Sequence, residues 1–130
     1  MEHRLITEDR ADQLVRTART VMGERCRSVT YFTRDDYEQV YLREDLERDA
    51  DLSSFIGVEW REAEITGDAY KHTELGDHLY TLRAFENGYL VRVTTRHSGV
   101  FVTTDGITLQ GFDEVSSALS ALLDSWDYED

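Results

Sequence analysis

Proline is absent from this chain, cysteine occurs once, lysine occurs once, and no apolar run is long. Each shortage excludes something. A lone cysteine, Cys26, cannot form a disulfide within the chain, so stability must come from a packed core, and a free thiol suits a reducing cytoplasm. No stretch approaches the ~18 apolar residues that cross a bilayer, and the opening MEHRLITEDR lacks the apolar centre of an export signal. The expectation is a cytoplasmic protein with no membrane contact. Without proline or a Gly/Ser-rich linker nothing marks a boundary, and 130 residues make one domain, 1–130, rather than two.

The shortage of lysine is the most telling. Lys71 stands with thirteen arginines against twenty-seven aspartates and glutamates, for a net charge of −13. A carboxylate-rich, lysine-poor surface suits molar salt, where self-repulsion is screened within about 3 Å. The composition therefore points to a salt-accumulating microbe, a haloarchaeon. Charge is also unevenly placed. Residues 1–34 hold seven arginines and five acids, a local net of +2, and residues 35–130 carry −15. An acidic body disfavours nucleic acid, whose binding needs cations to displace counterions. Arg10, Arg16, Arg19, Arg25, Arg27 and Arg34 make a candidate basic patch, read here as neutralising nearby carboxylates.

Apolar content of 40%, rich in tyrosine, is enough to fold against this charge. Thr7 followed by Glu8 and Asp9 starts a helix, with acids at the positive end of its dipole. Ala11, Leu14, Val15, Ala18, Val21 and Met22 recur at helical spacing, so the first helix is expected over 8–24. Arg27–Thr33 and Tyr37–Leu42 read as a hairpin turning at Arg34-Asp35-Asp36. A second helix follows a charged entry capped by Asp49 or Asp51. Leu52, Phe55, Ile56, Trp60 and Ala63 form its stripe, Glu59 interrupts the stripe and Val58 points away from it. Gly67–Gly76 reads as a loop. Asp77–Phe85, Tyr89–Thr95 and Val100–Thr104 read as three strands, the first two joined through Glu86-Asn87-Gly88. The last helix is expected from Phe112–Asp113, with a stripe of Phe112, Val115, Leu119, Leu122 and Trp126 and a fraying tail DYED. The fold class is α+β, in the order α-β-β-α-β-β-β-α: a five-stranded antiparallel sheet with helices on both faces.

That order, with the stretch LYTLRAFENGYLVRVTTRHSGVFVTTDG, resembles the roadblock/dynein-light-chain domain of the profilin-like class. The segments VTYFTRDDYEQVYLRED and GVFVTTDG also resemble small acidic haloarchaeal proteins. Two features depart from the roadblock pattern: the first hairpin turn has no glycine, and the second helix carries Glu59 in its stripe. The resemblance implies a non-enzymatic dimerising adaptor that regulates a small GTPase or scaffolds an assembly. It also implies that the third strand pairs with its copy across a dimer axis, the second helix alongside. The residues assigned to that interface are Phe55, Ile56, Val58, Leu79, Thr81, Arg83 and Phe85. The third strand is apolar on both faces, a pattern seldom left bare at a sheet edge and equally explained by burial within the sheet.

No chemistry competes strongly. His72, Glu74 and His78 match no usual metal-ligand spacing, and no second cysteine supports them. His97 sits in a turn. Cys26 has no base beside it in sequence, Ser98-Gly99 lacks the glycine spacing of a nucleophile elbow, and Asp35-Asp36 belongs to an acidic background. Asn87-Gly88 and Asp105-Gly106 are turn dipeptides rather than a phosphate cradle. No cofactor, metal or catalytic residue is expected. The rival reading is a small-molecule sensor with a pocket between the sheet and Trp60 or Trp126.

Overall fold

Thr7 opens the first helix, its hydroxyl accepting the Arg10 N–H at 3.2 Å. In the computed structural model, which describes residues 5–46 and 52–129 and only the backbone of 52–57 and 129, this helix is α1, Glu8–Met22. It ends two residues earlier than its apolar pattern suggests. Gly23 takes φ +59°, and Gly23–Arg25 tightens into a 3-10 turn. The strands are β1 (Cys26–Phe32), β2 (Tyr37–Leu42), β3 (Thr81–Phe85), β4 (Gly88–Thr94) and β5 (Gly99–Thr104). Helix α2 spans Leu52–Ala69, and α3 spans Leu109–Glu129.

All neighbouring strands are antiparallel, in the order β2-β1-β5-β4-β3. Alternation then sorts the side chains into two layers. Val29, Val93, Val100 and Val102 face α1 and α3, meeting Leu14, Ala18, Val115, Leu119, Leu123 and Trp126 in the main core. Phe32, Leu90 and Phe101 face the other way and pack against Trp60 of α2. Helices therefore cover both faces of the sheet. A bulge at Cys26–Ser28 in the β1–β5 pairing lets Cys26 and Val29, three residues apart, reach the same core. On the opposite face the hydroxyls of Ser28 and Thr103 meet at 2.5 Å.

Several boundaries differ from the sequence reading. Helix α2 runs three residues into the expected loop, and β3 begins at Thr81 rather than Asp77. Helix α3 starts at Leu109, where the Thr108 hydroxyl accepts the Gly111 N–H, and stays helical through Glu129 where fraying was expected. Leu123 joins Val115 and Leu119 as fully buried, while Leu122 is partly buried. The Asp49 and Asp51 caps lie outside the described residues. The first hairpin closes without glycine: Thr33 N–H donates to the Asp36 carbonyl and Tyr37 N–H to the Asp36 carboxylate. In the β3–β4 hairpin Phe85 pairs with Gly88, so Glu86 and Asn87 make the turn and Gly88 is already strand.

Candidate functional site

Position 92 falls on the α2 face of β4, two residues beyond Leu90, where an apolar side chain would be expected. Arginine stands there instead, fully buried. Its Nη1 donates to the Glu59 carboxylate at 2.9 Å and to the Glu59 backbone carbonyl at 3.1 Å. Its Nη2 donates to the Thr81 hydroxyl at 2.6 Å. Glu59, with its side chain 4% exposed, also accepts Arg83 Nε at 2.9 Å through its second oxygen. Arg83 Nη2 completes the chain on Glu62. Two arginines on adjacent strands thus grip two glutamates spaced i, i+3 on one face of α2. The acid that interrupts the apolar stripe of α2 is the centre of a buried ion network.

The network is balanced in charge, two arginines against two glutamates. The Arg83 hydrogen bond holds the Glu62 carboxyl below its ordinary range, with Arg83 and Arg92 adding attraction. Burial first, and then the Arg92 cation, pushes the His78 imidazole down, with Glu62 opposing. The His78 ring nitrogen Nε2 lies 3.0 Å from the Thr81 hydroxyl. Thr81 already accepts from Arg92, so a neutral His78 accepting at Nε2 uses the remaining hydroxyl hydrogen. Arg92 Nε, Trp60 Nε1 and the Thr30 hydroxyl have no partner among the described residues, and Arg92 and Trp60 both belong to the layer between α2 and the sheet.

Beside this network the sheet ends. Among the described residues β3 pairs only with β4 and forms one edge, yet Leu79, just before it, is 75% exposed, Phe85 56% and Leu82 37%. On α2, Val58 is 51% exposed and Ile65 also faces solvent. Of the residues assigned to an interface, Leu79, Phe85 and Val58 therefore present apolar surface. Thr81 and Arg83 instead turn toward α2 as members of the network, and the side chains of Phe55 and Ile56 lie outside the described residues. Tyr80 ties the approach to β3 to α3, its phenol donating to Asp113 at 2.5 Å.

The remaining candidates are placed apart. Among the described residues no three His, Cys, Asp or Glu side chains gather as metal ligands, and His72 is exposed with φ 65°. Cys26 is buried, which pushes its thiol up to about 11. The Ser98 carbonyl accepts the Thr95 N–H within a turn. Arg10 and Arg19 lie over the rings of Trp126 and Tyr41, Arg25 donates to the Gly106 carbonyl, and Arg27 to Asp105. These four of the expected basic patch are engaged within the molecule. Trp126 sits in the main core edge-on to Tyr31, and Trp60 stands edge-on to Phe32. Two open grooves, of about 760 and 550 Å³, reach neither tryptophan. No helix of the described residues is long and apolar enough to cross a membrane.

Among the described residues, three helices on an antiparallel sheet of order 2-1-5-4-3 define a roadblock-like fold. The chain belongs to the family described as Domain of unknown function (DUF7522), whose model matches residues 12–124. Solved structures of the same fold include "MglB with tetrameric arrangement", 12% identical with a TM-score of 0.62, covering 96% of this chain and 98% of that one. The gliding protein MglB from Thermus thermophilus is 13% identical with a TM-score of 0.62, covering 96% and 99%. Myxococcus xanthus MglB is 10% identical with a TM-score of 0.61, covering 94% and 96%. At such identities the likeness is one of fold. No curated protein matches the chain.

Proposed function

We propose that this chain is a non-enzymatic adaptor that works as a two-fold dimer, joined edge to edge through β3 with α2 alongside. The observation that carries the reading is the bare β3 edge, with Leu79, Leu82 and Phe85 exposed along it. An open edge with apolar side chains is a template for another strand, and pairing with a second copy satisfies its amides while closing the surface. The exposed Val58 and Ile65 of α2 extend the apolar area. A tetrameric arrangement in one structure of this fold supports self-association as a use of the fold. The dimer acts in the cytoplasm of a salt-accumulating cell, and the roadblock resemblance makes a small GTPase the partner class it regulates or scaffolds.

Light scattering in molar salt tests the dimer. The wild-type chain is expected at twice its monomer mass, and Phe85→Asp and Val58→Asp at the monomer mass with helix content retained. A wild-type monomer at high concentration would refute the reading.

A further inference from the structure

Among the described side chains of α2, ion pairs are a large part of the tie to the sheet. Trp60 packs on the Phe32, Leu90 and Phe101 cluster, and Arg92 and Arg83 bond Glu59 and Glu62. A buried ion pair adds little net stability over apolar side chains of similar volume, because desolvation offsets the attraction. What it supplies is geometry. Arg92 bonds the Glu59 backbone carbonyl as well as the carboxylate, so it fixes the helix itself and not only a side chain. Arg83 fixes the same turn of α2 from the edge strand. With both donors engaged on this turn of α2, Val58 and Ile65 face outward.

We propose that the Arg92–Glu59 pair is a positioning device for self-association: it sets α2 against β3 so that the surface meeting a second copy exists before that copy arrives. This rests on the dimer reading above. Arg92 is fully buried and the Glu59 side chain almost so, so neither can touch the second copy directly. Any effect of changing them on association acts through the placement of α2. A helix ordered in advance does not spend binding free energy on its own ordering.

The test is the double variant Arg92→Met/Glu59→Leu, which removes one buried cation and one buried anion while Arg83 keeps Glu62. Urea unfolding at concentrations below the association range is expected to give a midpoint no lower than wild type. Self-association by sedimentation is expected to weaken by about tenfold or more. An unchanged association constant in a folded double variant overturns the proposal while leaving the dimer intact. A wild type that never associates overturns the dimer reading and this proposal together. Should the double variant fail to fold, hydrogen exchange of the wild type decides. α2 amides are expected to be as protected in the diluted, dissociated chain as in the dimer. Protection of α2 that appears only on association would show that the ion pair does not set the helix, and the proposal falls.

Discussion

Arg43 and Asp105, separated by 62 positions in sequence, meet through two hydrogen bonds of 2.6 and 3.2 Å. Arg27 adds a third to the same carboxylate at 2.9 Å. One aspartate just past β5 thus joins β1 and the residue following β2 at one end of the sheet, and the fork-to-fork geometry makes the contact directional.

This arrangement predicts an acid limit. The Arg43 hydrogen bond, helped by Arg27, holds Asp105 below its ordinary range, and the Arg83 bond does the same for Glu62. A carboxyl whose folded pKa is depressed binds its proton more readily when unfolded. Its stabilisation is therefore complete above the unfolded value, about 4, and is lost as pH falls through the lower folded value. Thermal melts in molar salt are expected to decline modestly as pH drops below about 6.5, where the unfolded chain protonates His78 more readily than the folded one, and to fall more steeply below about 4. Asp105→Asn should remove part of that fall, by about 0–1 kcal/mol because the carboxylate is partly solvated.

Salt sets a second limit. With −15 over residues 35–130, dilution lengthens the screening distance from about 3 Å at molar salt to about 30 Å at ten millimolar. Cooperative unfolding is expected to weaken and the melting temperature to drop along that series, followed by circular dichroism. The same melting temperature in molar and dilute salt would contradict the halophilic reading.

Breaking the buried network on one side is a different matter from replacing it. Glu59→Gln leaves the fully buried Arg92 with the more distant Glu62 carboxylate at 3.7 Å in place of its close partner, and is expected to cost about 3 kcal/mol in urea unfolding. Glu62→Gln, at a half-buried position where Arg83 retains Glu59, is expected to cost much less. Equal losses would show that burial does not govern this network.

Gly88 is required by space rather than by turn geometry. A Cβ there would stand 2.5 Å from the Thr104 carbonyl oxygen, which belongs to the backbone of β5 and cannot swing aside. Gly88→Ala is expected to destabilise by about 1–3 kcal/mol, measured by urea unfolding, although alanine suits a strand better than glycine. A neutral or stabilising result would show that the β4–β5 pairing yields more readily than its contacts imply.

Much of this was legible in the residues. Thr7 caps the helix it announces, and the Leu14/Ala18/Met22 and Val115/Leu119/Trp126 stripes are the stripes that bury. The order of elements alone led to the sheet and to helices on both faces. The network is not legible in the same way, although both halves are visible: Glu59 stands in an apolar stripe and Arg92 alternates with Leu90 on an inward strand face. Each looks like a local flaw. Only their simultaneous presence on elements that must face each other makes them a pair, and that is a relation between segments rather than a property of either. Asn87-Gly88 carries a turn signal, while the use of Gly88 is the close approach of β5, which no local pattern records.

The sequence by itself determined the two periodicities, the caps and the charge balance, because these arise from neighbours along the chain and from the solvent. It therefore decided which segments become helix or strand. The tertiary structure decided which strand lies at the edge, which face of α2 turns outward, and where Arg83 points. Those outcomes depend on desolvation and pairing between residues 20 to 80 positions apart, whose energies come into being only once the sheet has formed.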